Sequence, residues 1–157
     1  MGHVLLRRLC QTRPFGDAIA EAGVNLLLAG AWLGDRLDRA LEPLGLTHVQ
    51  YNVLRILKGA QPEGHPRCEI ARRLIDRAPD VTRLIDRLER RGLVARAPGT
   101  QDRRTSVTRI TAKGRELLEK ATAEIESVNR ELARRLSKRE GEELSRLCEA
   151  VYGADVP

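Results

Sequence analysis

Apolar residues in the middle of the chain recur at the spacing of an α-helix. Pro79 suits the first turn of such a helix, where its missing N–H costs no hydrogen bond, and Gly92 suits its C-terminal end. Spacings of three and four therefore predict an amphipathic central helix over residues 79–91. The apolar face consists of Val81, Leu84, Ile85 and Leu88, and the polar face carries Thr82, Arg83, Asp86, Arg87 and Arg90.

A β-hairpin is predicted directly after the central helix. Residues 93–96 (LVAR) can begin a strand, Pro98 and Gly99 break it, and residues 106–110 can form the returning strand. A helix with one buried and one basic face, followed by a basic hairpin, fits a phosphate-lined groove better than any small substrate.

Five further helices are predicted from apolar spacing, and polar residues mark their starts. Asp17 and Thr47 are predicted N-caps, and Ser137 begins a capping box. Residues 59–66 are rich in glycine and proline, which predicts a loop, and residues 1–15 are predicted as a loose arm or a short helix. The fold class is therefore mostly α, with six helices and a two-stranded hairpin after the fourth.

The helix that follows Asp17 is apolar on two flanks. A subunit interface explains this pattern, and so does a central core helix within one subunit. The two flanks consist of Ile19, Ala22, Leu26, Ala29, Leu33 and Leu37 on one side and Val24, Leu27, Leu28 and Ala31 on the other.

Positive charge is concentrated around the central helix and the hairpin. The chain of 157 residues is 41% apolar and 32% charged, with a formal net charge of +6. Residues 66–115 contain 14 Arg or Lys and 6 Asp or Glu, which gives this segment +8 and leaves −2 for the remainder. This distribution is typical of a nucleic-acid-binding surface, although a solvated arginine-rich surface has the same composition.

Residues able to carry other chemistry are scattered. Cys10, Cys68 and Cys148 form no CxxC pair, which argues against a disulfide framework or a zinc site and fits a reducing cytoplasm. We find no nucleophile–base set and no phosphate loop, so we expect no catalytic residue, metal, cofactor or enzymatic activity. The most apolar stretch, residues 18–33, contains Glu21 and is shorter than the ~20 residues of a membrane span, and we expect no signal peptide.

Short motifs follow one another in a fixed order between residues 46 and 118. They are LTxxQ at 46–50, EIA at 69–71, VTRLIDRLE at 81–89, RGLV at 91–94, DRR at 102–104 and ITxxG at 110–114. This ordered set resembles the MarR family of bacterial winged-helix transcription regulators, and the flanking helices fit that family by length and position.

The resemblance implies a cytoplasmic homodimer that binds a pseudo-palindromic operator in double-stranded DNA and acts as a repressor released by a small-molecule effector. The winged helix–turn–helix domain with its two-stranded wing would cover residues 46–112. An N-terminal arm and dimerisation helix (1–45) would precede it, and C-terminal dimerisation helices (113–157) would follow. The family often binds small aromatic or phenolic effectors between the dimerisation helices and the winged domain.

The resemblance also implies which residues contact DNA. The central helix corresponds to the family's reading helix, which enters the major groove. The wing tip corresponds to Asp102, Arg103 and Arg104. Asp102 would support Arg104 in the minor groove, and Arg103 would be a further minor-groove or phosphate contact.

Residue chemistry adds candidates on the central helix. Arg83 and Arg87 lie one turn apart on the polar face, where a guanidinium can bind guanine or grip phosphate. Pro79 and Thr82 lie near the helix start, where side chains and free N–H groups meet DNA. A weak surface ion pair with an acidic neighbour is the alternative for each arginine. The candidates for phosphate positioning are Arg67 and Arg72.

Departures from the family pattern keep other functions open. Ile75 follows Leu74 where the family often has glycine, and Ser106 and Thr108 replace apolar residues in the returning strand, which puts its register in doubt. These features fit a protein-interaction module that kept the fold without binding DNA. The resemblance also implies a redox-responsive regulator through Cys10, because one branch of the family senses hydroperoxides through a cysteine in its N-terminal region. Arginines close in sequence to Cys10 supply the cations that a sensor thiol needs, but the tyrosine partners of that branch are not evident.

Overall fold

Helices and a small sheet make up the part of the chain that the structure describes, which covers residues 3–75, 80–98 and 106–153 of this computed structural model. The predicted mostly α fold is confirmed, and the arm before the six predicted helices forms one more short helix. The helices are α1 (His3–Arg8), α2 (Ala18–Leu41), α3 (His48–Gly59), α4 (Arg67–Arg73), α5 (Val81–Arg90), α6 (Ala112–Ala133) and α7 (Lys138–Tyr152), with a 3₁₀ turn at Glu42–Leu44.

The predicted hairpin is present and belongs to a three-stranded antiparallel sheet in which β3 is the middle strand. Pairing of β2 with β3 runs without interruption from Val94 opposite Ile110 to Pro98 opposite Ser106. Thr108 lies in this middle strand, is 3% exposed and stands opposite His65 on one side and Arg96 on the other. The polar residues in β3 therefore leave its register intact. The strands are β1 (His65–Pro66), β2 (Val94–Pro98) and β3 (Ser106–Ile110).

The stretch predicted as a loop, residues 59–66, ends in a strand, so that prediction is wrong at its C-terminal end. His65 pairs with Thr108 of β3. Two residues are too few to show the alternation that predicts a strand. Gly64 permits the close approach, because its φ is 76° and a Cβ atom there would overlap the carbonyl oxygen of Thr108.

The apolar face of the central helix packs into the core of the winged domain, as predicted. Ile85 and Leu88 of α5 are at most 1% exposed, and Leu84 is 8% exposed. Burial of a large apolar side chain contributes roughly 1.5–3 kcal/mol, so this face holds α5 firmly against its neighbours. The same cluster contains Val53, Leu54 and Leu57 of α3, Ile70 of α4, Leu93, Val94, Ile110, and Leu118 and Ala121 of α6.

The predicted helix caps are confirmed. The Asp17 carboxylate accepts hydrogen bonds from two backbone N–H groups in the first turn of α2. Thr47 begins α3 with a full capping box, in which the Gln50 side chain accepts the Thr47 N–H at 3.2 Å. Ser137 and Glu140 form the capping box of α7, and the hydrogen bond from the Ser137 hydroxyl lowers the pKa of Glu140.

The central helix begins later than predicted. Helix α5 spans Val81–Arg90, whereas the sequence predicted a helix over residues 79–91. Asp80 is the N-cap, and its carboxylate accepts the Arg83 N–H at 3.2 Å. A capping aspartate satisfies one of the unpaired N–H groups of the first turn, which fixes the start of the helix here. Pro79 lies outside the described residues.

The predicted glycine ends the central helix. Gly92 has a φ of 70°, and its N–H donates to the Glu89 carbonyl at 2.8 Å. The next N–H, of Leu93, donates to the Leu88 carbonyl at 3.0 Å. These two bonds are a Schellman motif, which turns the chain from α5 towards β2.

Much of the apolar surface of α2 is exposed. Ile19 is 78% exposed and Leu27 is 75% exposed. A central core helix within one subunit is therefore the wrong description of its N-terminal half. No helix in the described ranges is long and apolar enough to cross a membrane.

Candidate nucleic-acid interface

The outer face of α5 presents arginines while its inner face is buried. The Arg83 side chain is 79% exposed, and its Nε atom lies 3.2 Å from the Asp80 carboxylate. Arg87 is exposed one turn further along. Asp80 therefore caps the helix and pairs with Arg83 at once, which explains an acidic residue at the start of a basic face.

Two predicted contact residues on different helices lie together. The Arg67 guanidinium, at the start of α4, donates to the Thr82 hydroxyl oxygen on α5 at 3.0 Å. Thr82 is half-buried and Arg67 is exposed. This bond joins the two helices of the helix–turn–helix on their exposed side and positions the Thr82 hydroxyl.

The predicted phosphate contact Arg72 is held by an acidic neighbour. Its Nε and Nη2 atoms donate to the two Glu69 oxygens at 3.1 and 2.9 Å, and Arg73 donates to the same carboxylate at 2.6 Å. These hydrogen bonds, first from Arg72 and then from Arg73, lower the pKa of Glu69 to about 2. The Arg72 side chain is still 70% exposed, so its charge remains accessible at the surface.

A cluster that the sequence did not predict joins the wing to α5. Arg96, in the middle of β2, forms ion pairs with Asp86 through Nη2 and with Glu89 through Nη1. The backbone N–H of Arg96 also donates to Glu89 at 3.1 Å. Hydrogen bonding to Asp86 raises the pKa of Arg96. We call Asp86, Glu89 and Arg96 the wing clamp; its sequence signal is a pair of carboxylates three residues apart on a helix followed by a strand arginine.

The C-terminal end of α5 is fixed to the body of the protein. Arg91 donates to the carbonyl oxygens of Leu44 and Gly45 at 3.1 and 2.5 Å. Lys113 donates in turn to the Arg91 carbonyl at 2.9 Å. The orientation of α5 therefore follows that of the segment between α2 and α3.

Some predicted site residues lie outside the described part of the chain. This group comprises the helix-start candidate and the three wing-tip residues: Pro79, Asp102, Arg103 and Arg104. The redox candidate Cys10 is exposed and lies just after the end of α1 at Arg8.

A cleft of about 310 Å³ opens between α2, α3 and α6. Its walls are mostly apolar, and the lining includes polar side chains from α3 and α6. His48 is held by Asp38 of α2, with 2.9 Å between Nδ1 and Oδ1. The cleft is lined by Leu33, Leu37, His48, Val49, Tyr51, Asn52, Arg55, Ile75, Ile125, Asn129 and Leu132.

A helix with its inner face in a core, cations on its outer face and an antiparallel hairpin behind it defines a winged helix–turn–helix DNA-binding protein. The MarR family model matches residues 46–106. The HTH-type transcriptional repressor Rv2887 of Mycobacterium tuberculosis is 31% identical over 136 residues, which are 87% of this chain and 96% of that relative. The protein belongs to the MarR family and is a DNA-binding transcriptional regulator.

Solved structures agree with this assignment. The complex of MepR from S. aureus with DNA superposes with a TM-score of 0.74 at 25% identity, covering 84% of this chain and 96% of that one. CouR from Rhodococcus jostii RHA1, bound to p-coumaroyl-CoA, has a TM-score of 0.73 at 25% identity and covers 91% and 97%. The similarity extends over the helices on both sides of the winged domain.

Proposed function

We propose that the protein is a homodimeric repressor that binds a pseudo-palindromic operator and leaves it when a small effector binds. The observation that carries the proposal is the outer face of α5, where Arg83 and Arg87 are exposed while the opposite face is locked in the core. Two such faces on one dimer fit successive major grooves of a palindromic site. The M. tuberculosis relative is named as a repressor, which supports the direction of regulation.

Exposed apolar residues on the terminal helices support a homodimer. Leu144 and Leu147 of α7 are each 48% exposed, Val151 is 66% exposed and Leu27 of α2 is 75% exposed. Exposed apolar surface of this kind is unfavourable in water unless a partner covers it. In our proposal the helices in residues 1–45 and 113–157 dimerise, and residues 46–112 read DNA.

Contact roles follow from position and charge. On the reading helix α5, Arg83 is the primary base contact and Arg87 a base or phosphate contact. Thr82 contacts phosphate or a thymine methyl group, oriented by Arg67. The proposal also includes Pro79 at the helix start, Arg67 and Arg72 as phosphate contacts, and Asp102, Arg103 and Arg104 at the wing.

The cleft between α2, α3 and α6 is the proposed effector site. An occupant would touch α2 and α6, which carry the proposed interface, and α3, which packs inside the winged domain. An effector bound there favours one orientation of the winged domain relative to the dimerisation helices. This orientation changes the spacing of the two reading helices in the dimer. A small aromatic or phenolic molecule suits the mostly apolar walls, and Arg55 and Asn52 in the lining can bind its polar group. The protein acts in the cytoplasm and without catalysis.

A mobility-shift assay on the DNA upstream of the protein's own gene tests the proposal, since such regulators often lie beside their targets. We expect a complex with that fragment that survives excess coding-region DNA, and a protected region with two-fold symmetry. If no upstream fragment is retained at low salt while the protein is folded, the proposal is wrong, and the protein-interaction alternative takes its place.

A further inference from the structure

The wing clamp connects two elements that meet different parts of the DNA. In the proposed function α5 enters the major groove and the wing reaches the flanking minor groove. Arg96 lies midway along β2, opposite the buried Thr108 of β3. From there its side chain reaches back across the turn to two carboxylates on the outer side of α5.

The contacts of the clamp restrain both distance and rotation. The two terminal nitrogens of Arg96 engage different carboxylates, Asp86 and Glu89, and the Arg96 N–H makes a third contact with Glu89. A planar guanidinium held at two nitrogens cannot rotate without losing a bond. The wing therefore cannot swing away from α5 unless the ion pairs break.

We propose that Arg96 is a positioning residue that sets the angle between the reading helix and the wing, so that major-groove and minor-groove contacts form on the same operator half-site. This inference rests on the proposed function. A fixed angle between α5 and the wing adds specificity that neither element has alone. Only an operator whose major-groove and minor-groove sequences lie at the matching separation can bind both elements at once.

A competing account is purely electrostatic. Asp86 and Glu89 lie on the helix that approaches phosphates, and Arg96 offsets part of their charge. The triple variant Asp86→Asn/Glu89→Gln/Arg96→Gln separates the two accounts, because it removes the repulsive carboxylates together with the clamp. If Arg96 only compensates charge, this variant should bind the operator at least as well as the wild type. If Arg96 positions the wing, the variant should lose its contacts with the DNA that flanks the half-sites.

The experiment compares the full operator with a shortened one that keeps the two major-groove half-sites. The shortened operator lacks the flanks, which are the outer DNA segments whose minor grooves the wings are proposed to contact. We expect shortening of the operator to weaken wild-type binding by about tenfold and to weaken binding of the triple variant by less than about threefold. The difference measures the coupling between the wing clamp and the flanking DNA, and its size is that found for contacting residues. Hydroxyl-radical protection of the flanks should disappear in the variant while the half-sites stay protected. The inference would be overturned if the wild type and the triple variant lost the same affinity on shortening and both still protected the flanks. It would also be overturned if the wild type lost no affinity on shortening.

Arg96→Lys provides a matched variant that keeps the positive charge. A single ammonium cannot hold two carboxylates in the fixed fork of a guanidinium, so flank protection should also be lost here. Wild-type flank protection in Arg96→Lys would contradict the inference. Circular dichroism and sedimentation show whether each variant is folded and of wild-type assembly. A wild type that binds no operator at all would instead defeat the proposed function.

Discussion

Arg83 leaves the reading helix three residues after its N-cap, with most of its side chain in solvent. It forms an ion pair with Asp80, and an exposed pair of this kind contributes little to folding. Its guanidinium is therefore available for a base edge or a phosphate.

Arg83→Ala should weaken operator binding by at least about 30-fold, because each base-reading arginine contributes roughly 1–3 kcal/mol and the proposed dimer loses two. The control is Lys138→Ala on α7, whose side chain is 92% exposed and which should leave affinity unchanged. Fluorescence anisotropy with labelled operator measures both. Equal affinities for the two variants would remove Arg83 from the interface.

Glu69 should titrate far below its ordinary value. Hydrogen bonds from Arg72 and Arg73 lower its pKa from 4.5 to about 2. Because the folded-state pKa is depressed, the stabilisation by this cluster is complete above pH 4.5 and is lost as the pH falls towards 2. Carboxyl-carbon NMR should show the low midpoint, and Arg72→Gln should move it back up. A wild-type midpoint near 4.5 would show that the cluster does not form in solution.

The sequence predicted the exposed arginines of α5 but missed several of the ion pairs around the candidate interface. Arg83 and Arg87 were predicted on the outer face because the 3.6-residue period fixes direction. The ion-pair partners of Arg96 depend on the angle at which β2 packs against α5. Periodicity within a single helix or strand carries no information on the angle between two elements. Arg72 was predicted as a phosphate contact, and its bond to Glu69 was missed although the two lie three residues apart.

At the scale of elements, the packing of the wing against α6 is tight. Gly114 lies in the first turn of α6, where a Cβ atom would overlap the Leu93 carbonyl oxygen and lie 2.8 Å from Ile110 Cγ1. Thr111 caps the helix at this point and donates to the Gly92 carbonyl at 2.8 Å. No room remains for a side chain between α6 and the turn after α5.

Gly114→Ala should therefore destabilise the protein by about 2–3 kcal/mol through overpacking. Gly59→Ala at the end of α3 is the matched control, since a Cβ atom there meets nothing within 4 Å. That change should alter stability by less than about 1 kcal/mol. Urea denaturation at equal protein concentration compares the two. Similar unfolding midpoints would contradict the packing described here.

Elements with strong local signals were predictable from the sequence. Asp17, Thr47 and Ser137 cap the helices that they were predicted to cap, because capping depends on residues within one turn. Strand β1 was missed because its two residues are extended only through their pairing with β3. Helix α5 begins at Val81 because Asp80 serves as its N-cap.

For the whole molecule, binding to a pseudo-palindromic operator requires two chains. We expect sedimentation equilibrium to give about 35 kDa, twice the 17.5 kDa of one chain. Leu147→Glu/Val151→Glu should give monomers, because charges would replace apolar residues on the exposed face of α7. Ala95→Glu, on the exposed side of β2, is the control and should stay dimeric. A wild-type monomer at micromolar concentration would contradict the proposed assembly.

The central claim is that paired basic faces, built from α5 and the wing, bind one DNA duplex. The salt dependence of operator affinity tests it most directly, because each neutralised phosphate releases counterions. For about four phosphates per subunit, and so about eight in the dimer, a plot of log affinity against log salt should fall with a slope of about −7. A slope near zero, or no binding at about 50 mM salt by a folded dimer, would contradict the account.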